Sequence, residues 1–333
     1  MSTATRFLGL LAIATCSTAE AVAQRPPAQP AEPRDPVVVI REAFRRHRLV
    51  GLGEAHRFRE QHVFFRALLA DPRLRGVFQD VVVEFGNARY QAVMDAYVAG
   101  RDVPMDSLRE AWRNTTAVTL WDSPSYERFF ADVRAANAER PPSDRIRVLL
   151  GDPPIRWDTL RTAEQVNRWL EATSLNEFFV GVVEREVLAN GRRALLIAGS
   201  GHLMRPPPAW RREFPEGGPN ETGFLEHRYP GSIFVIGVHD PNARRPDREH
   251  LMARWPRPAI ALLSSTSLGN TPEDDTMLAD LWDAYLYLGP VATLHFEAPP
   301  ESLYLATTRY GQEVRRRTRL LEDAGIMPRS GPR

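Results

Sequence analysis

The chain is expected to fold as an α/β protein, a layered parallel or mixed sheet flanked by helices. Three observations predict this. Apolar runs recur at Val81-Val82-Val83, Val148-Leu149-Leu150 and Leu195-Leu196-Ile197, as strands covered on both faces require. Between them, apolar residues return every three or four positions, the period of a helix with one buried side. The alternation of the two patterns implies crossover connections in a layered sheet.

Met1 to Ala23 has the form of a secretory signal peptide. Arg6 precedes the apolar run from Phe7 to Ala14, and Ala21-Val22-Ala23 supplies a small-x-small cleavage site. That run is too short to span a bilayer, and no later stretch is long enough. The expected product is therefore exported, periplasmic or secreted. Cys16 raises a lipid-anchored alternative, to which Thr15 before it is a poor match. Residues 24–36 carry Pro26, Pro27, Pro30, Pro33 and Pro36 and read as a stiff extended linker. Residues 37–326 read as a single α/β domain of hydrolase type, and 327–333 as a flexible tail.

Within that domain the expected strands are Leu49–Leu52, Asp80–Phe85, Arg145–Leu150, Ala194–Ala198, Ile233–Val238, Ile260–Leu263 and Ala284–Leu288. Helical patterns cover Arg57–Ala70, Arg89–Val98, Met105–Trp112, Tyr126–Ala138, Thr159–Leu170 and Asn176–Ala189. Pro206-Pro207-Pro208 and Glu216-Gly217-Gly218-Pro219 bound a loop region placed as a lid would be. Arg315-Arg316-Arg317 and Arg319 lie on a C-terminal helix and read as a solvated face.

Composition removes whole classes of chemistry. The single cysteine falls in the segment that cleavage removes, which excludes cysteine nucleophiles, iron–sulfur clusters and Cys-ligated zinc. All 43 basic residues are arginine, so a P-loop lysine, a Schiff base and a Ser-Lys dyad are excluded too. With 42 acidic residues the chain is near neutral and offers no case for nucleic acid.

Three of the expected strands end alike. The first runs through Gly51-Leu52, breaks at Gly53 and releases Glu54 and His56 into a turn. The second releases Glu84 after Val81-Val82-Val83. The Ala194 strand releases His202 through Gly199-Ser200-Gly201. Neighbouring parallel strands lie about 4.8 Å apart, so groups at their carboxyl ends converge on one crevice. Taken singly, each group also fits a structural role: Glu54 as a helix cap, Glu84 as an arginine partner, His202 as a turn residue. Their recurrence at three strand ends favours acid–base hydrolysis or a divalent-metal site. Asp152, after Leu149-Leu150-Gly151, is a fourth candidate or a cap. Ser200 lacks the G-x-S-x-G setting of a nucleophile and reads as a turn or binding residue.

Gly51-Leu52-Gly53-Glu54-Ala55-His56, followed by Glu60 and Arg66, resembles the opening motif of the erythromycin esterase family. Val83-Glu84 with Tyr97-Val98-Ala99-Gly100 resembles its next block. Trp121, Arg134 to Pro142, Asp144 to Val148 and Gly151-Asp152 resemble a third, and Ala198-Gly199-Ser200-Gly201-His202 its last. The resemblance covers residues 49 to 205 in order. It implies an erythromycin esterase/ChaN-like fold and a hydrolase of a small-molecule ester or lactone that needs no cofactor. His56 would be the general base, with Glu54 and Glu84 orienting it or the water, His202 a second imidazole, and Arg66, Asp152 and Ser200 on the substrate side. Two positions depart from the pattern. Only Ala55 separates Glu54 from His56 where the family has two residues, and Gly199 stands where the last block has a further histidine. The shorter spacing resembles ChaN-like haem-uptake proteins and metal-dependent Tiki-type proteases. These imply alternatives: an exported haem- or metal-binding protein, or a hydrolase holding a divalent metal on Glu54, His56, Glu84 and His202.

Overall fold

The computed structural model describes residues 28–241, 246–274 and 276–329, so the expected signal peptide lies outside the described residues. The described residues form nine strands: β1 Leu49–Glu54, β2 Asp80–Asn87, β3 Arg147–Asp152, β4 Ala194–Gly199, β5 Ile233–Val238, β6 Ala259–Leu262, β7 Pro272–Glu273, β8 Thr276–Met277 and β9 Ala284–Tyr287. Seven of them form one sheet in the order β3-β2-β4-β1-β5-β9-β6, while β7 and β8 make a separate hairpin. Every neighbouring pair in the large sheet is parallel except β6 with β9. The expected layered α/β class is the observed one.

Side-chain alternation divides the core into two layers. Val50, Leu52, Val81, Val83 and Phe85 pack on one face beneath helices Pro36–Arg46, Arg59–Ala70 and Pro124–Ala138. Leu49, Val82, Leu196 and Ala198 face the other way, toward helix Leu175–Val182. On that second face Gly51 and Gly53 leave room for the short helix Ser200–Leu203. A Cβ at Gly53 would stand 2.9 Å from Ser200 Oγ, and one at Gly51 3.6 Å from Leu203. β1 lies between β4 and β5, at the point where the chain reverses its direction across the sheet. Such a reversal opens a crevice beyond the carboxyl ends of the strands.

Several expectations need correction. β1 does not break at Gly53 but continues through Glu54, and β2 runs on through Glu84 to Asn87. A register shift against β3 after Val83 lets the second strand continue past its polar residue. Residues 28–35 are extended but not a free linker. Arg34 exchanges backbone hydrogen bonds with Ile260, and Gln29 N donates to Ser265 O, which covers the outer edge of β6. Asp35 then caps helix Pro36–Arg46 by accepting from Val37 N at 2.8 Å. The loop bounded by the two proline-rich stretches is pinned at its far end, where Asn220 Nδ2 donates to Gly201 O and Met204 O. Arg317, expected on a solvated face of helix Arg309–Asp323, is buried. Its guanidinium donates to Glu313, Arg113 O and Asn114. No helix among the described residues is long and apolar enough to cross a membrane.

Candidate functional site

The period of two in β1 puts Glu54 on the same face as Val50 and Leu52, pointing into the protein rather than into solvent. It is 2% exposed. Its Oε1 accepts from Tyr126 OH at 2.9 Å and from His62 Nε2 at 3.2 Å. Oε2 lies 3.4 Å from His56 Nδ1. Burial alone would raise this carboxyl. The contact with His56, the hydrogen bond from His62 and the fields of both rings outweigh it and hold the group at about 2. Glu54 is therefore a permanent anion.

Beyond Glu54 the chain turns sharply. Gln61 braces the turn, accepting from Ala55 N at 2.9 Å and donating to Gly53 O at 2.6 Å. Arg57 takes a left-handed backbone, φ 68°, as does Thr119 at 65°. These strained residues are locked together: Arg57 donates to Leu120 O at 2.8 Å and to Thr119 O at 2.7 Å. The clamp holds the loop that carries Trp121, whose ring meets His56 edge-on at 4.9 Å between centroids. Burial pulls His56 toward neutrality, but Glu54 and Glu84 prevail, and its pKa stands above 6.5.

Glu84 projects from β2 between two imidazoles. Oε1 accepts from Gly199 N at 2.6 Å and lies 3.7 Å from His56 Nε2, while Oε2 lies 3.5 Å from His202 Nε2. Burial pushes this carboxyl up to about 7, against the pull of both histidines. Gly199 is small for a reason: a Cβ there would stand 3.0 Å from His56 Nε2 and Cε1. A histidine at that position would need a displaced His56, so the glycine and the shortened Glu54-Ala55-His56 turn belong together. His202 sits on helix Ser200–Leu203. Its Nδ1 contacts Glu221 Oε2 at 3.0 Å and Asn176 Oδ1 at 3.2 Å. The bond to Glu221 raises the ring to about 9 in spite of burial, so it is an imidazolium at neutral pH.

Glu54, His56 and His202 line a crevice of about 470 Å³ with Arg57, Leu120, Gly199, Ser200, Asp240 and Phe296 among others, and Glu84 stands against its two histidines. The four residues expected to be catalytic thus come together. Ser200 lines the same space, but its hydroxyl donates to Glu54 O at 3.4 Å and to no imidazole. Asp152 lies behind the crevice, accepting from Thr116 N at 3.0 Å and from the Thr116 hydroxyl. Burial, supported by the Glu84 charge, raises it to about 7. It braces the 114–121 loop and does not line the site. Arg66 is a correction: it is exposed on helix Arg59–Ala70, its charge acts on Asp132, and it does not line the crevice. Helical geometry explains this, because Arg66 lies four residues after His62, one turn further from the strand end.

Tyr126, Glu221, Asn176, Arg57 and Asp240 were not flagged by the sequence. Asp240 carried a usable signal, since His239-Asp240 follows the apolar run of β5 as Glu54 follows that of β1. The imidazole of His239 itself is buried, 3.2 Å from Tyr285 OH. The others arrive from distant helices and loops without a local pattern. Glu54, His56 and Glu84 also place ligand atoms within 4.8 Å of one another, as a bound cation would require.

No family model and no curated protein matches the chain. Among solved structures, a point mutant of the erythromycin esterase EreC in its open conformation is similar with a TM-score of 0.53 and 13% identity, covering 78% of this chain and 94% of that one. A succinoglycan biosynthesis protein follows at TM-score 0.49 and 12% identity, covering 78% and 94%. ChaN of Campylobacter jejuni, with cofacially bound haem, gives TM-score 0.39 and 13% identity over 75% and 90%. The fold is thus of the erythromycin esterase type, while the reaction is a matter for the site's own chemistry.

Proposed function

We propose that this chain is a hydrolase in which His56 activates a water against an ester or lactone. The observation that supports it most is the row Glu54–His56–Glu84–His202, in which two imidazoles that line an open crevice flank one carboxylate. Glu54, held as an anion 3.4 Å from His56 Nδ1, would accept from Nδ1–H once the pair closes slightly, and so favours the tautomer whose Nε2 lone pair faces the crevice. Water gives its proton to that nitrogen, and the hydroxide adds to the substrate carbonyl. His202, held as an imidazolium by Glu221, donates toward the oxygen that gains charge. Collapse of the tetrahedral intermediate breaks the bond to the leaving alcohol, which takes the proton from the His56 imidazolium. Glu84 keeps both rings in register. The expected N-terminal signal peptide would put this activity outside the cytoplasm.

The test is a panel of esters and lactones assayed across pH. With His56 acting neutral and His202 acting charged, kcat/KM is expected to rise through a limb set by the raised His56 pKa. It should fall again through a limb at about 9. Because Glu84 titrates at about 7 between the two rings, the rising limb belongs to the cluster rather than to one residue. A profile flat from about pH 5 to about pH 10 would rule the mechanism out.

A second reading has its own observation. Glu54 Oε2 and His56 Nδ1 lie 3.4 Å apart, yet neither makes a hydrogen bond. Two ligands on a tetrahedral ion at about 2.1 Å each would be separated by about that much. A divalent ion held by Glu54, His56 and Glu84 would supply Lewis acidity and an acidified water. The readings exclude each other at Nδ1, which either donates to Glu54 or binds a metal. We expect activity to survive prolonged chelation, with less than one metal per chain by elemental analysis. Loss on chelation, restored by one divalent ion, would replace the first reading by the second. Haem binding, the remaining alternative, has no contact of its own in support.

A further inference from the structure

The opposite end of the sheet carries a second concavity of about 310 Å³, lined by Phe44, Arg45, Arg46, His47, Arg48, Gln79, Gly191 and Arg193. It lies where β1, β2 and β4 begin, about 17 Å along β1 from Glu54. Four arginines and a histidine line it, and no aspartate or glutamate does. Several arginines elsewhere in the molecule are paired with carboxylates. Arg73 meets Asp35 and Asp71, Arg147 and Arg192 share Asp80, and Arg205 meets Asp283 and Glu226. Arg45 and Arg46 have no ion pair or hydrogen bond among the described residues. Arg48 spends one nitrogen on Gly191 O, and Arg193 one on Val77 O at 3.4 Å.

The floor is rigid. Gln79 accepts from Arg193 N through its side-chain oxygen at 3.0 Å, and its backbone N donates to Arg193 O at 3.0 Å. This turns the Gln79 side-chain amide into a further free donor. His47 donates through Nδ1 to Gly231 O at 2.9 Å, which fixes the ring's orientation. The walls thus present unspent donors and positive charge, assembled from three separate segments. Arg45 and Arg46 close helix Pro36–Arg46, whose terminal dipole carries about half a negative charge. Offsetting that dipole accounts for a fraction of the positive charge assembled here.

We propose that this concavity binds a small phosphate-bearing anion. A carboxylate would satisfy one guanidinium fork and leave the others repelling each other. A phosphate or pyrophosphate group offers two or more charges and enough oxygens for several forks at once. The volume also exceeds what one carboxylate fills. The ligand is either a free phosphorylated small molecule or the phosphate of a lipid headgroup. Both meet the same donors.

The test uses the whole mature protein and inorganic pyrophosphate, by titration calorimetry and thermal shift. Binding is expected to raise the melting temperature and to weaken with added salt. The fourfold variant Arg45→Gln, Arg46→Gln, Arg48→Gln and Arg193→Gln is expected to bind at least tenfold more weakly, with an unchanged circular dichroism spectrum. His56→Asn, at the far end, is expected to bind as the parent does, which separates this site from the proposed hydrolysis. In a second arm, sedimentation with phosphatidylglycerol vesicles distinguishes the sources. Binding to vesicles that pyrophosphate displaces identifies a lipid headgroup, and pyrophosphate binding without vesicle binding identifies a free ligand. The proposal is overturned if pyrophosphate neither binds nor displaces, or if the fourfold variant binds as tightly as the parent.

Discussion

His56→Asn is expected to lower kcat/KM by about 10³-fold or more, toward the upper range for losing a general base. The melting temperature should move little. Asparagine keeps a donor near Glu54 Oε2, and the imidazole is 31% exposed rather than buried in the core. The loss should lie in kcat more than in KM, since the ring acts on water and not on substrate. His202→Asn is the informative companion. It should cost less and remove the falling limb at high pH, because the group that must stay protonated is gone. Near-parental turnover in purified His56→Asn would end the proposal. A large loss accompanied by a large drop in melting temperature would mean that the ring is structural.

Much of this site was legible because β strands announce their ends. Val81-Val82-Val83 and Leu195-Leu196-Ile197 are too apolar to be anything but covered strands, so the polar groups soon after each mark the carboxyl edge. That reasoning found Glu54, His56, Glu84 and His202 without knowing the strand order. It located Glu54 less well than Glu84, because it took Gly53 as a break. Gly53 is glycine because Ser200 and Trp282 crowd its Cβ position, a tertiary reason invisible locally. The supporting groups were not legible at all. Tyr126 and Glu221 lie on helices whose internal patterns say nothing of a hydrogen bond to a residue 72 or 19 positions away. Arg66 erred in the other direction: a place in a motif is not a place in a crevice. The proline-rich segment 28–35 shows the same limit, since composition suggests extension but not that an edge strand waits to be paired.

Glu54→Gln and Glu84→Gln are expected to change stability in opposite directions, although both should abolish most activity. In the folded protein Glu54 titrates at about 2 rather than 4.5. A depressed carboxylate contributes stability at pH above 4.5 that is lost as pH falls through 2. At neutral pH a shift of that size corresponds to about 3 kcal/mol. Glu54→Gln should therefore be destabilised by a few kcal/mol at pH 7, with the deficit closing toward pH 2. It should also turn its amide N–H toward His56 Nδ1, moving the ring's proton to Nε2. A base in the wrong tautomer costs about 10⁴-fold in rate. Glu84 titrates at about 7, raised by burial. Its contribution is present below pH 4.5 and is lost as pH rises through 7, so above that pH the charged group costs about 1–3 kcal/mol. Glu84→Gln should melt higher than the parent at alkaline pH and nearly equal to it in acid, while Gln still accepts from Gly199 N. Urea melts of both variants across pH would read the signs directly. If Glu84→Gln were the less stable protein at alkaline pH, Glu84 would be anchoring the two imidazoles as a stabilised anion. Its place as a carboxylate poised near neutrality between them would then be wrong.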